Sequence, residues 1–133
     1  MSRILLIEDD DSFRTMLGKT LTYFGHTVIE ARNGKEGLEL FPQACADLVI
    51  TDLLMPEKEG LEVLMELRKM RPSAKIIAMS GGGRNSAADY LAIAKSMGAA
   101  KVLAKPFTNV VLIATINELL SMGVEAHPPP AKE

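Results

Sequence analysis

The sequence predicts an α/β domain: a parallel β-sheet with helices on both faces. Three observations predict it. Short apolar runs suited to strands alternate along the chain with stretches of helical periodicity. The central run, Leu48-Val49-Ile50, is apolar at consecutive rather than alternate positions, as a strand covered on both faces requires. Strands that alternate with helices pair in parallel through right-handed crossovers, so the helices fall on both sides of the sheet.

The first strand is Ile4-Leu5-Leu6-Ile7, stopped by Glu8-Asp9-Asp10-Asp11. A helix follows, with Phe13, Met16, Leu17, Leu21 and Phe24 at helical spacing and Asp10, Asp11 or Ser12 available as its N-cap. Gly25-His26 breaks it, Thr27 to Ala31 is the second strand, and Arg32-Asn33-Gly34 is a turn. A short helix from about Lys35 to Phe41 turns Leu38 and Phe41 inward and ends before Pro42. The third strand runs into Asp52, and Pro56 to Gly60 is loop. Leu61, Leu64 and Leu67 mark a helix ending near Arg71-Pro72. Ile76 to Met79 is the fourth strand, closed by Ser80-Gly81-Gly82-Gly83, and a helix from about Ser86 to Met97 ends at Gly98. Val102-Leu103-Ala104 is the fifth strand, ending at Lys105-Pro106, and a last helix spans Asn109 to Met122. Residues 1–122 are thus expected to form the domain and 123–133, with Pro128-Pro129-Pro130, an extended or flexible tail.

Bulk composition narrows the function classes. A chain of 133 residues fits one domain with one sizeable core. A formal net charge of −2 gives no footprint for nucleic acid. No apolar stretch approaches a membrane span and no secretory signal is visible, so a cytoplasmic protein is expected. Cys45 is the one cysteine, cannot form an internal disulfide, and reads as a small packing residue. His26, in a Gly-His turn, and His127, in the tail, read as surface residues.

The chemistry lies at the strand ends. In a parallel sheet, Glu8-Asp9, Asp52, Ser80-Gly81 and Lys105 share one rim, the rim outside which open α/β sheets bind ligands. Three neighbouring carboxylates repel one another unless a cation sits among them. A few oxygen ligands without a His or Cys cluster suit a hard ion that keeps several waters, magnesium rather than zinc or calcium. Such an ion beside a carboxylate, a hydroxyl and an ammonium is the equipment of phosphoryl transfer, with Lys105 and Ser80 placed to bind phosphoryl oxygens. Asp52 is then the nucleophile that forms an acyl phosphate, and Gly81 and Gly82 let backbone N–H groups approach the anion. Each residue has a plainer reading when taken alone. Asp52 suits a turn, the acidic run suits a cap and solvated charge, Lys105 suits the surface, and the glycines suit a flexible loop. Their joint occurrence at four strand ends outweighs those readings.

These motifs resemble the receiver domain of two-component response regulators. The resemblance covers Arg3 to Met122 and rests on Ile7-Glu8-Asp9, on Asp52-Leu53-Leu54-Met55-Pro56 with Gly60, on Met79-Ser80-Gly81, and on Lys105-Pro106-Phe107. It implies a CheY-like, flavodoxin-like (βα)5 doubly wound sheet of strand order 2-1-3-4-5. It implies a phosphoacceptor rather than an enzyme, with Asp52 phosphorylated by a sensor histidine kinase or a histidine phosphotransfer protein. Asp9 and Asp52 would bind Mg2+ directly, the Leu54 backbone carbonyl would be a third ligand, and Glu8 would act through water. Ser80 and Gly81 would hold the phosphoryl group with Lys105, and the Lys105-Pro106 bond would be cis.

Two features depart from the family pattern. Val102 stands where the family usually carries an aromatic residue, so the inward–outward swing of a ring is not available. The loop Gly81 to Ser86 is longer than the common spacing, which suits either ordering on phosphorylation or a tolerated surface insertion. Val110, Val111 and Met122 fall outside the apolar stripe Leu112, Ile113, Ile116, Leu119, Leu120. That excess suggests a partner surface or a homodimer through the fourth helix, fifth strand and fifth helix. With no output domain expected beside the receiver, its output would come from contacts with a downstream protein; a receiver cut from a longer protein, with the Pro-rich tail as its linker, is the alternative. Rival chemistries fit less well. An aspartate-nucleophile phosphatase wants a second Asp where Leu54 stands, and a flavodoxin wants a Ser/Thr-rich loop where Glu8 to Asp11 stand. A pseudo-receiver would lack some of the acidic or lysine residues found here.

Overall fold

The computed structural model describes residues 2–53, 60–80, 92, 94–96 and 98–125. Five parallel strands form one sheet: β1 (Arg3–Ile7), β2 (Thr27–Ala31), β3 (Leu48–Asp52), β4 (Ile76–Ser80) and β5 (Lys101–Ala104), in the order β2-β1-β3-β4-β5. Helices α1 (Asp11–Tyr23), α2 (Gly34–Ala44) and α3 (Gly60–Met70) and a C-terminal helix (Asn109–Glu125) cover it. This is the flavodoxin-like order that the resemblance implied.

Burial explains which apolar runs became central. Every residue of β3 and of β4 is buried, and in β1 only Arg3 is exposed. Consecutive apolar side chains suit these strands because both pleat faces are covered. The edge strands β2 and β5 are only partly buried and carry Glu30 and Lys101, charges that discourage edge-to-edge pairing with another chain.

Side-chain alternation divides the core in two. On one face Leu5, Ile7, Val49, Ile76 and Ala78 meet Phe41 of α2 and Val63, Leu64 and Leu67 of α3. On the other, Ile4, Leu6, Ile50, Ile77, Met79 and Leu103 meet Leu17 and Leu21 of α1 and Leu112, Ile116 and Leu119 of the C-terminal helix. Each fully buried aliphatic side chain contributes about 1.5–3 kcal/mol relative to exposure. Together the two layers fix the strand register, since a one-residue slip would exchange the faces.

Helix starts follow their caps. The Asp10 carboxylate accepts from the Phe13 N–H at 3.0 Å, which selects it among the three candidate caps of α1. The Asn33 side chain accepts from Glu36 N–H at 2.8 Å to start α2. Gly98 has φ +117°, the left-handed conformation expected of a residue that ends a helix. Residues 92 and 94–96 are helical. The rest of the helix expected from Ser86 to Met97 lies outside the described residues.

Several expectations need correction. Helix α2 does not stop before Pro42 but continues to Ala44. The buried Phe41 ring, with the Arg71 guanidinium 4.7 Å from its centroid, and buried Ala44 hold this last turn against the core. That packing outweighs the lost proline donor, a weak loss so near a helix end. Cys45 is exposed rather than packed, and it caps α2 in the left-handed region at φ 52°. His26 is buried, its Nδ1 accepting from the Ser2 N–H at 3.3 Å. Met16 and Phe24 are about half exposed instead of facing the core. The C-terminal helix runs to Glu125, beyond the expected Met122. The tail from residue 126 lies outside the described residues. Among the described residues, no helix is long and apolar enough to cross a membrane.

Candidate functional site

The register carries strand ends to one rim. Ile7 pairs with Thr51, Asp52 with Met79, and Ser80 with Ala104. Glu8, Asp52, Ser80 and Lys105 therefore emerge side by side, each at or one residue past the end of its strand. The sheet continues beyond its regular pairing through Glu8 N–H to Ala31 O at 3.1 Å, Leu53 N–H to Met79 O at 2.8 Å, and Lys105 N–H to Ser80 O at 2.9 Å. These bonds fix the backbone beneath the side chains that matter.

Glu8, Asp9 and Asp52 each place a carboxylate oxygen within 4.8 Å of the others. Glu8 and Asp52 are buried and Asp9 is half-buried. Lys105 reaches in from the β5 end, its Nζ donating to Glu8 Oε1 at 3.0 Å and to Asp52 Oδ2 at 3.2 Å. The ammonium also lies 4.3 Å from the centroid of the Phe13 ring, which stacks edge-on with Phe107 at 6.1 Å. Lys105 is thus steered by two carboxylates and an aromatic face. The Lys105-Pro106 peptide bond is cis, as the resemblance implied.

The electrostatics show incomplete compensation. Burial, and after it the charge of Asp52, pushes the Glu8 carboxyl up to about 7, although the Asp10 N–H and Lys105 pull it down. Burial alone would lower Lys105, but Asp52 and then Glu8 hold it above its ordinary value. Ser80 is wholly buried, and its Oγ has no hydrogen-bond partner among the described residues. A buried hydroxyl without a partner is uncommon, and its desolvation costs about 1–3 kcal/mol.

This donor set fits a hard divalent cation. It offers oxygen ligands, no competing thiolate or imidazole among the described residues, and carboxylates whose repulsion a cation would relieve. The unpaired Ser80 hydroxyl and the Lys105 ammonium fit an oxyanion beside Asp52. Gly60 secures the other side of the site. Its N–H donates to Leu53 O at 3.1 Å, and a Cβ there would overlap the Leu53 backbone and lie 2.6 Å from Asp52 O. Only glycine allows α3 to start so close to the Asp52 peptide.

Glu8, Asp9, Asp52, Ser80 and Lys105 are brought together as the sequence suggested. The Leu54 carbonyl and Gly81, expected as metal and phosphate ligands, lie outside the described residues, as does the loop Gly81 to Ser86. Val102 is partly buried and packs on the face of α2 and α3. Val110 and Val111 are 78% and 45% exposed, outside the core stripe as expected. Sequence reasoning missed Arg14, a buried guanidinium that donates to the Glu8 carbonyl at 2.9 Å. Its signal was a cation on the inward side of a helix that opens with an acidic run.

Comparison with known proteins adds an independent line. The family model of the response regulator receiver domain matches residues 4–117. The chemotaxis protein CheY of Thermotoga maritima is 32% identical over 118 residues, covering 88% of this chain and 96% of that protein. The transcriptional regulatory protein GlrR of Escherichia coli is 33% identical over 125 residues, 94% of this chain but 28% of GlrR. The chain therefore spans little more than a quarter of that relative. A receiver domain structure from Clostridium thermocellum superposes with a TM-score of 0.88 at 30% identity, covering 96% of this chain and 100% of the other. The response regulator TrrA of Thermotoga maritima, in complex with Mg2+-BeF, gives a TM-score of 0.80 at 34% identity over 90% of this chain and 99% of its own.

Proposed function

The chain belongs to the response regulator receiver domain family, and from that premise we propose that Asp52 is its phosphoacceptor in a Mg2+-dependent two-component signalling reaction. The observation that carries the proposal is the convergence at Asp52. Carboxylates of Glu8 and Asp9, the Lys105 ammonium and a buried Ser80 hydroxyl without a partner among the described residues meet around it.

In this reading the Asp52 carboxylate attacks phosphorus in line with the bond to an imidazole nitrogen of the donor. A P–O bond forms, the P–N bond breaks, and the nitrogen departs with its electron pair. Lys105 transfers its contact from the carboxylates to a phosphoryl oxygen, and the Ser80 Oγ–H donates to another. Asp9 and Asp52 would hold the cation directly and Glu8 through water, with the Leu54 carbonyl as a further ligand, and Gly81 would help to bind the phosphoryl group. A bound Mg2+ supplies charge neutralisation to the carboxylates and phosphoryl oxygens at once. The donor is a sensor histidine kinase or a histidine phosphotransfer protein, the partners with which receiver domains work.

Because Val102 offers no ring to swing, the switch begins with Ser80 drawn toward the phosphoryl group and its strand end. The exposed Val110 and Val111 support a partner or homodimer surface on the C-terminal helix and β5. Sedimentation with and without beryllofluoride should show self-association strengthened by the phosphoryl mimic. A monomer in both states at high concentration would remove the dimer.

The direct test is an intact-mass spectrum after incubation with acetyl phosphate, with and without Mg2+, for the wild type and Asp52→Asn. One magnesium-dependent phosphoryl adduct, missing in the variant, is expected. An adduct that persists in Asp52→Asn would refute the assignment.

A further inference from the structure

Arg14 is a charged side chain of this neighbourhood that the phosphoacceptor chemistry does not use. Its side chain is only 10% exposed, and a buried guanidinium is costly unless its donors find acceptors. Three donor directions are met. Nη1 donates to the Glu8 backbone carbonyl at 2.9 Å, Nη2 to Asp11 Oδ1 at 2.7 Å, and Nε to Glu30 Oε1 at 3.3 Å. One rigid fork thereby joins the acidic turn after β1, the first turn of α1 and the edge strand β2.

The bond to the Glu8 carbonyl sets the geometry of the cluster. That carbonyl belongs to the peptide linking Glu8 to Asp9, so fixing it fixes the plane from which both carboxylates depart. A second clamp acts on the same turn, the Asp10 N–H donating to Glu8 Oε2 at 3.1 Å. Without the fork the turn keeps this bond, the Asp10 cap, the Glu8 N–H bond to Ala31 O and the Lys105 contact on Glu8 Oε1, but the Glu8 carbonyl itself loses its Arg14 donor and with it the tie through α1 to Glu30.

We propose that Arg14 is a positioning residue of the cation site: it holds the Glu8–Asp9 peptide so that the two carboxylates converge on Asp52. The proposal rests on the reading of the acidic cluster as a Mg2+ site. It predicts an effect opposite in sign to simple electrostatics. A fixed positive charge near the site repels a cation, so charge alone would have Mg2+ bind more tightly once Arg14 is neutralised. Loss of positioning would make it bind more weakly. Lysine keeps the charge but presents a compact ammonium that cannot reproduce a planar three-way fork.

The experiment is calorimetric titration of the full chain with Mg2+, together with thermal melts, for wild type, Arg14→Met, Arg14→Lys and Glu30→Gln. Both Arg14 variants should bind Mg2+ about tenfold or more weakly, in line with the loss of other residues that orient metal ligands, while Glu30→Gln stays within about twofold of wild type. Glu30→Gln removes one anchor of the fork and lowers the melting temperature without releasing the Glu8 carbonyl. Wild-type affinity in Arg14→Lys, or tighter binding in Arg14→Met, would overturn the proposal. So would affinity that merely tracks melting temperature across all three variants. If the wild type itself bound no Mg2+, the metal-site reading would fall, and this proposal with it.

Discussion

At the rim where the strands begin, polar groups are matched one to one. The Arg3 N–H donates to Asp47 Oδ2 at 2.8 Å and its Nε to Ala44 O at 2.9 Å. The Arg71 guanidinium donates to Ala46 O at 3.0 Å and that of Arg68 to Ala74 O at 2.6 Å. At the rim where the strands end, carboxylates crowd together, Glu8 is pushed up to about 7, and the Ser80 hydroxyl is buried without a partner among the described residues. The same sheet carries both arrangements. The first adds stability directly through charge-assisted bonds to carbonyls. The second costs stability in the isolated chain and, in the function proposed above, would become favourable with a cation and an oxyanion bound. Placing the cost at one rim leaves the hydrophobic layers between the rims undisturbed.

Substitutions can break this contrast, and the largest effect is expected at Asp52. Asp52→Asn should abolish the phosphoryl adduct and also stabilise the cation-free protein by about 1 kcal/mol, because it removes the charge that, after burial, raises Glu8, while Lys105 keeps its bond to Glu8. Intact mass reads the first effect and chemical denaturation in EDTA reads the second. At the opposite rim, Arg71→Ala should cost about 2 kcal/mol through loss of a charged hydrogen bond and the stacking on Phe41. Denaturation would show that loss, and Mg2+ titration should show unchanged affinity.

Ser80→Ala sharpens the comparison further. Removing a hydroxyl that makes no bond among the described residues should leave the cation-free stability unchanged or raised by up to about 1 kcal/mol. The phosphorylated form should lose a hydrogen bond, seen as a smaller steady-state adduct. A clear destabilisation of the unphosphorylated protein would mean that the hydroxyl is not idle there.

The smallest effect concerns His26, on the matched rim. Burial, and then the N-terminal amine, hold its pKa below the ordinary 6.5. The unfolded chain therefore takes up the proton first, so His26 favours the fold above pH 6.5 and that contribution falls away as pH drops through 6.5 toward the folded value. His26→Gln should flatten the acid side of the stability profile by less than about 1 kcal/mol, measurable by denaturation at about pH 7 and pH 5.

Much of this arrangement was legible in the sequence, for physical reasons. Strands buried on both faces must be apolar at consecutive positions, so Leu5-Leu6-Ile7 and Leu48-Val49-Ile50 announced a parallel sheet. Parallel strands bring their ends together, so Glu8, Asp9, Asp52, Ser80 and Lys105 could be gathered without coordinates. Tertiary packing was not legible. Whether Pro42 ends α2 depended on Phe41 finding its place beneath Arg71. His26 and Arg14 are buried only because Ser2, Glu8 and Glu30 happen to receive them, and no local pattern encodes those partners. Met16 and Phe24 kept the helical spacing of core residues yet lie at the margin of the stripe that Leu17 and Leu21 occupy.

The contrast between rims is tested most directly by thermal melts of the wild type and Asp52→Asn, each in EDTA and in excess Mg2+. The account predicts that Asp52→Asn melts higher in EDTA, and that Mg2+ raises the wild type more, narrowing or reversing the order. A wild type that melts as high as the variant in EDTA and does not respond to Mg2+ would contradict it, because the crowded carboxylates would then neither cost stability nor await a cation.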